Sequence, residues 1–80
     1  MKSKAVKLSA IHISYAFWKT PPRPEKIKTC YEYFREHGKF DRDIVIDEKG
    51  TLRDGYVAYL VARMLNITTV WVKVVNRCAA

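Results

Sequence analysis

Ile44-Val-Ile-Asp47-Glu-Lys-Gly50-Thr-Leu-Arg-Asp54-Gly55, running directly into Tyr56-Val-Ala-Tyr-Leu-Val-Ala-Arg-Met-Leu65, decides the fold of this chain. Residues 44–46 form a continuous apolar run bounded by acids, as expected of a strand covered on both faces. Glu48-Lys49-Gly50 turns the chain, and Thr51-Leu52-Arg53 returns as a second short strand. Val57, Leu60, Val61, Met64 and Leu65 then recur at i, i+3, i+4, i+7 and i+8, the buried stripe of a helix that opens on Gly55. Tyr56, Tyr59 and Arg63 fall off that stripe and are expected to face solvent. A helix that starts at a strand end points free N–H groups outward, where an anion can sit.

Asn66 is suited to a left-handed helix stop. Residues 69–75, Thr-Val-Trp-Val-Lys-Val-Val, are strongly β-prone and predict the last strand, with 76–80 as a frayed tail. Upstream, Pro24 fits the first position of a helix, and Glu25 complements its dipole. Ile27, Cys30, Tyr31 and Phe34 mark the buried face of that helix. Lys28 and Glu32 stand at pairing distance, and Gly38 ends the helix. Pro21 and Pro22 predict a loop over residues 14–23. Val6, Leu8 and Ala10 alternate as in a strand, with a phase slip near Ala10 that implies a bend or bulge.

Eighty residues make one domain with a thin core. No apolar run approaches the roughly 20 residues that span a bilayer, and the basic start carries no signal-like segment. A soluble, cytoplasmic protein is the expectation. Cys30 and Cys78 are too few for a disulfide framework and lack metal-site spacing with His12 and His37. Cys30 reads as a buried small hydrophobe and Cys78 as a thiol in the tail.

The charge is lopsided. The chain carries a net +7, and residues 1–28 hold seven lysines and arginines against Glu25 alone, a net of +6. Such an excess favours a polyanionic partner: nucleic acid, phosphate groups or an acidic protein surface. Tyr15, Phe17 and Trp18 lie beside Lys19 and Arg23. Aromatics interleaved with cations can stack on bases and hold phosphates, or fold back over a small core.

The order strand, loop, helix, strand, turn, strand, helix, strand, with Val45-Ile-Asp47-Glu-Lys-Gly50-Thr-Leu-Arg-Asp54-Gly55 at its centre, resembles the ParB N-terminal/sulfiredoxin-like family over residues 5–75. The resemblance implies an α+β domain with a mixed sheet of about four strands and two main helices. In that family a box of arginines just after the glycine holds nucleotide phosphates at the helix start, and sulfiredoxins add a reactive cysteine there. Here Gly55 is the family glycine, and Tyr56, Val57 and Ala58 follow it. Arginine forks onto phosphate oxygens; valine and alanine offer nothing comparable. No catalytic residue, metal ligand or cofactor is therefore assigned, and Asp47 and Asp54 read as braces of the turn and the helix start.

The expectation is a non-catalytic ParB-like binding module. Arg53, Gly55, Tyr56, Lys19 and Arg23 are the candidates for holding an anion. Trp18, Lys19, Arg23, Lys26, Lys28 and Tyr59 are the candidates for contacting nucleic acid or another partner. The alternative is a small mobile-element-encoded factor or inhibitor that docks on an acidic partner surface, with Trp18, Tyr56 and Tyr59 as anchors; a nucleotide-binding enzyme is a third reading. The strand at 70–75 could be a sheet edge that pairs with a second copy, or Lys73 could guard it.

Overall fold

A computed structural model describes residues 2–75. Within them the order is β1 (Lys2–Lys7), α1 (Tyr15–Lys19), α2 (Pro24–His37), β2 (Ile44–Asp47), β3 (Leu52–Asp54), α3 (Tyr56–Met64) and β4 (Thr69–Val75). The strands form one mixed sheet in the order β1-β4-β2-β3. β4 is antiparallel to β1 and parallel to β2, while β2 and β3 make an antiparallel pair. This is the α+β architecture that the sequence predicts. The tail at 76–80, with Cys78, lies outside the described residues.

The last strand is not an edge. β4 bonds to β1 along Thr69–Val74 on one side and to β2 along Val72–Val75 on the other, so it is an interior strand and not an edge open to a second copy along its length. The β-propensity of residues 69–75 reflects a place near the centre of the sheet. β1 is an outer strand, and its Lys4 and Lys7 discourage edge-to-edge pairing. Beyond β3, His12 makes a bridge to Thr51, with His12 N–H donating to the Gly50 carbonyl at 2.9 Å and Leu52 N–H to the His12 carbonyl at 2.8 Å.

The expected phase slip near Ala10 is a turn of 3-10 helix at Leu8–Ala10, so the first strand ends at Lys7. In 3-10 geometry residues three apart share a face. Leu8 and Ile11 are three apart, and both are buried. Leu8 N–H also donates to the Thr68 carbonyl at 2.8 Å, which ties this turn to the entry of β4.

One face of the sheet carries the core. Ile44, Ile46, Val70 and Val72 alternate inward and are buried. The opposite face is open, contrary to the expectation of a strand covered on both sides: Val45 is only half-buried, and Trp71, paired with Ala5 in register, is 72% exposed. A three-residue apolar run cannot distinguish the two arrangements, because alternation is visible only when the outward residue is polar.

The buried stripe of α3 is also turned from its predicted position. Val57, Ala58, Tyr59, Val61 and Ala62 are buried, Leu60 is half-buried, and Met64 is exposed. Reading the face from its largest aliphatics misplaced it. Small Ala58 and Ala62 are wholly buried, as is Cys30 on α2, and such residues let helices approach closely. Tyr59 is 7% exposed and joins the core, so it is not available as a partner anchor. Lys28 and Glu32 make no ion pair; among the described residues the ion pairs are Arg42–Asp41 and Lys73–Asp43. Pro24 at the start of α2, Gly38 at its end (φ 74°) and Asn66 after α3 (φ 57°) stand as the sequence predicts.

Cys30 offers a check on the packing. Burial, followed by the negative charge of Asp41, pushes its thiol up from 9.0 to about 11. The folded state therefore holds this proton more tightly than the unfolded chain does. The stabilisation is fully present below pH 9 and is lost as the pH rises through about 11. In a Cys78→Ser background, Cys30 should resist a thiol reagent at pH 8 until the protein is denatured. The stability difference between parent and Cys30→Ala, followed by urea melts, should shrink as the pH climbs through that window.

Candidate functional site

The segment expected as a loop contains the short helix α1. Pro21 and Pro22 bar a helix only from their own positions onward, and they follow its end. Its last turn is closed by Thr20, whose hydroxyl donates to the Ala16 carbonyl at 2.6 Å and whose N–H reaches the Phe17 carbonyl at 3.3 Å. Five helical residues suffice to sort the aromatics. Tyr15, Trp18 and Lys19 stand at i, i+3 and i+4, which places them on one face. That face points to solvent, with Tyr15 78% and Trp18 65% exposed. Phe17 points the other way and packs on Tyr56, with ring centroids 5.3 Å apart. The two expected roles of this cluster, stacking surface and core lid, are thus divided between different residues.

Arg23 is the residue before α2, and its carbonyl accepts from Lys26 N–H at 3.0 Å and Ile27 N–H at 3.3 Å. Lys19 and Arg23 are joined only by Thr20-Pro-Pro, and Lys26 lies in the opening turn of α2. All three are exposed. Lys28 does not join them: two residues on a helix diverge by about 200°, so Lys26 and Lys28 flank the buried stripe on opposite sides. On Lys28's side the Arg35 guanidinium lies over the Tyr31 ring at 5.8 Å.

The start of α3 is turned inward. Gly55 is buried, with φ 85° and ψ 27°. A Cβ there would collide with the Asp43 carbonyl oxygen and come within 2.8 Å of Ile44 Cα. The glycine is required because the helix start presses against the backbone entering β2. Its N–H donates to the Asp54 carboxylate at 2.8 Å, so the chain's own anion already sits there. Tyr56 is half-buried beneath Phe17. Of the anion candidates, Gly55 and Tyr56 therefore serve the fold, while Arg53 is exposed on β3 and Lys19 and Arg23 stand with the α1–α2 segment. Asp47 braces the turn: its Oδ1 accepts from Lys49 N–H at 2.9 Å and Thr51 N–H at 3.0 Å.

A mixed four-strand sheet, a glycine-locked junction between β3 and α3, and two main helices make a small α+β domain with a ParB-N-like fold. Two solved structures bear this out. A "Pnob8-like ParB-N domain" superposes with a TM-score of 0.77 at 16% identity, covering 91% of this chain and 29% of that one. A second structure of a "pNOB8-like ParB N-domain" gives 0.77 at 17% identity, covering 94% and 27%. The chain thus spans under a third of either protein's length, and at this identity the likeness is one of fold. No protein-family model matches the sequence, and no curated protein does.

Three exposed residues have a place in the structure that the sequence did not assign. Tyr15 was legible in principle, from its spacing to Trp18 and Lys19. Trp71 was legible in principle too, because it shares its parity with polar Thr69 and Lys73 while valines hold the other. Arg63 was placed off the apolar stripe of α3 but given no role; its guanidinium lies 5.9 Å from the ring of Tyr59. No helix of the described residues is long and apolar enough to cross a membrane.

Proposed function

We propose that this chain is a non-catalytic ParB-like binding module that holds nucleic acid through the α1–α2 segment. The observation that carries the reading is the condition of the basic side chains there. Lys19, Arg23 and Lys26 are exposed, and neither ion pair among the described residues uses them. Lys19 shares the outward face of Tyr15 and Trp18 on α1, and Arg23 and Lys26 follow within seven residues of it along the chain. Unpaired cations neutralise phosphates and release counterions, and exposed rings add sequence-tolerant stacking on unpaired bases. Single-stranded nucleic acid is the preferred form, because a duplex hides the faces that Tyr15 and Trp18 would stack on. Arg53 is a peripheral contact, and Tyr59 and the Gly55 end are left out because they are buried.

Fluorescence anisotropy with labelled single-stranded and duplex oligonucleotides tests this. With about four phosphates neutralised, single-strand affinity should fall about 50-fold between 50 and 200 mM salt. Trp18→Ala should weaken single-strand binding by about 1–3 kcal/mol with little change in the salt slope. Combined Arg23→Gln and Lys26→Gln should flatten that slope. Absence of binding to either form at 50 mM salt would rule the reading out.

A further inference from the structure

Between the end of β1 and the C-terminal end of α3 lies an open cavity of about 770 Å³. Lys7 and Ser9 form one wall, and Tyr59, Arg63, Asn66 and Thr68 form the other. The bond from Leu8 N–H to the Thr68 carbonyl joins the two walls. Two cations and four uncharged side chains with hydrogen-bonding groups, of Ser9, Tyr59, Asn66 and Thr68, therefore line one concave surface, and no carboxylate is among the lining residues. We infer that this groove is a second anion site, for a phosphate group carried by a nucleotide or by a nucleic-acid strand.

The chemistry is that of phosphate recognition. Arg63 offers a planar fork of donors, held against the Tyr59 ring at 5.9 Å. Lys7 supplies a point charge, and the hydroxyls of Ser9 and Thr68 and the amide of Asn66 can donate to the remaining oxygens. Leu8 and Ile67 add apolar surface to the same lining, which favours a phosphate with an organic group attached. One effect opposes an anion here: a helix C-terminus carries about half a negative charge. In this chain that end is closed by its own amides. Leu65 N–H donates to the Val61 carbonyl at 3.0 Å, Asn66 N–H to Arg63 at 3.1 Å, and Ile67 N–H to Ala62 at 3.0 Å. Two full positive charges outweigh what is left. Edge protection would account for Lys7 and dipole complementation for Arg63, but neither accounts for uncharged donors around the same cavity with no acid among them.

The site is at the opposite end of α3 from Gly55, about 13 Å away along a nine-residue helix. It does not depend on the α1–α2 reading. The test is NMR titration of the full chain with inorganic phosphate, a nucleoside monophosphate and a single-stranded 12-mer, each in parent, Arg63→Gln, Lys7→Gln and Arg35→Gln proteins. Arg35→Gln removes the same charge from an exposed position on α2 and serves as the control, and circular dichroism verifies folding of each variant. Amides of Ser9, Asn66 and Thr68 should shift with the mononucleotide, the strand or both; a response to the mononucleotide alone marks a free nucleotide as the source, a response to the 12-mer alone a strand. Arg63→Gln should weaken the responding ligand about tenfold, the worth of one charge-assisted contact, and Arg35→Gln less than threefold. The inference is overturned if none of the probes moves these amides, if the shifts are confined to Trp18 and its neighbours, or if both arginine variants lose affinity equally.

Discussion

Gly55→Ala should destabilise the domain by about 3 kcal/mol or more, and the melting temperature should fall by about 12–24 °C. Two terms add. The backbone at φ 85° is a left-handed conformation that costs an alanine about 1 kcal/mol. The new methyl would also strike the Asp43 carbonyl and Ile44 Cα, which are backbone atoms at the entry of β2 and cannot rotate aside. Moving them disturbs the pairing of Ile44 with Val72 near the centre of the sheet. Gly38→Ala isolates the first term, since Gly38 has φ 74° and nothing lies within 4 Å of the place a Cβ would take. Thermal melts should place Gly38→Ala within about 1 kcal/mol of the parent. Equal losses for the two variants would mean that the close approach to β2 contributes nothing. A domain of this size has only about 4–12 kcal/mol of stability in all.

The second large effect is expected at Asp47. It is 2% exposed, and its Oδ1 accepts two backbone N–H groups of the β2–β3 turn. Asp47→Ala leaves both donors without that acceptor, at about 1–3 kcal/mol each where water cannot reach. A loss of about 3 kcal/mol is expected in urea unfolding, with the slope unchanged. Asp47→Asn keeps a carbonyl oxygen in the same place and should recover more than half of it. If asparagine fared no better than alanine, the carboxylate's charge rather than the turn's hydrogen bonds would be the stabilising element.

The same two residues show what the sequence discloses. Asp47 and Gly55 sit in a stretch where turn chemistry, strand length and helix period agree, so the order from β2 to β4 could be read directly. The resemblance to ParB N-domains followed from that order, and the superposed structures bear it out. Lost were the features that depend on partners distant in the chain. Val45 lies on the open side of the sheet, and the unbroken apolar run 44–46 does not encode this, whereas Trp71 shares its parity with polar Thr69 and Lys73. Tyr59 is buried and Met64 exposed because α3 is rotated to bring Ala58 and Ala62 inward, a packing choice set by the neighbouring elements. The candidate site was legible in part. Trp18, Lys19 and Arg23 were visible as a composition, but the split between Phe17 and the outward Tyr15–Trp18 face needed the helix that the prolines seemed to forbid. The cavity beside Arg63 joins residues 7–9 to residues 59–68, and no local pattern reports such a meeting.

The interior position of β4 fixes the order in which the molecule can be built. β1 pairs only with residues about 60–70 positions further along, and β2 lacks its parallel neighbour until the same segment arrives. During synthesis α2 and the β2–β3–α3 unit can gather locally, while β1 waits with its hydrogen-bonding edge unused. Closing so long a loop is entropically slow and leaves strand edges open to wrong partners in the interval. β4 acts as a keystone: a chain halted before residue 69 would hold one two-stranded fragment, β2–β3, and a lone β1 with no means of joining it.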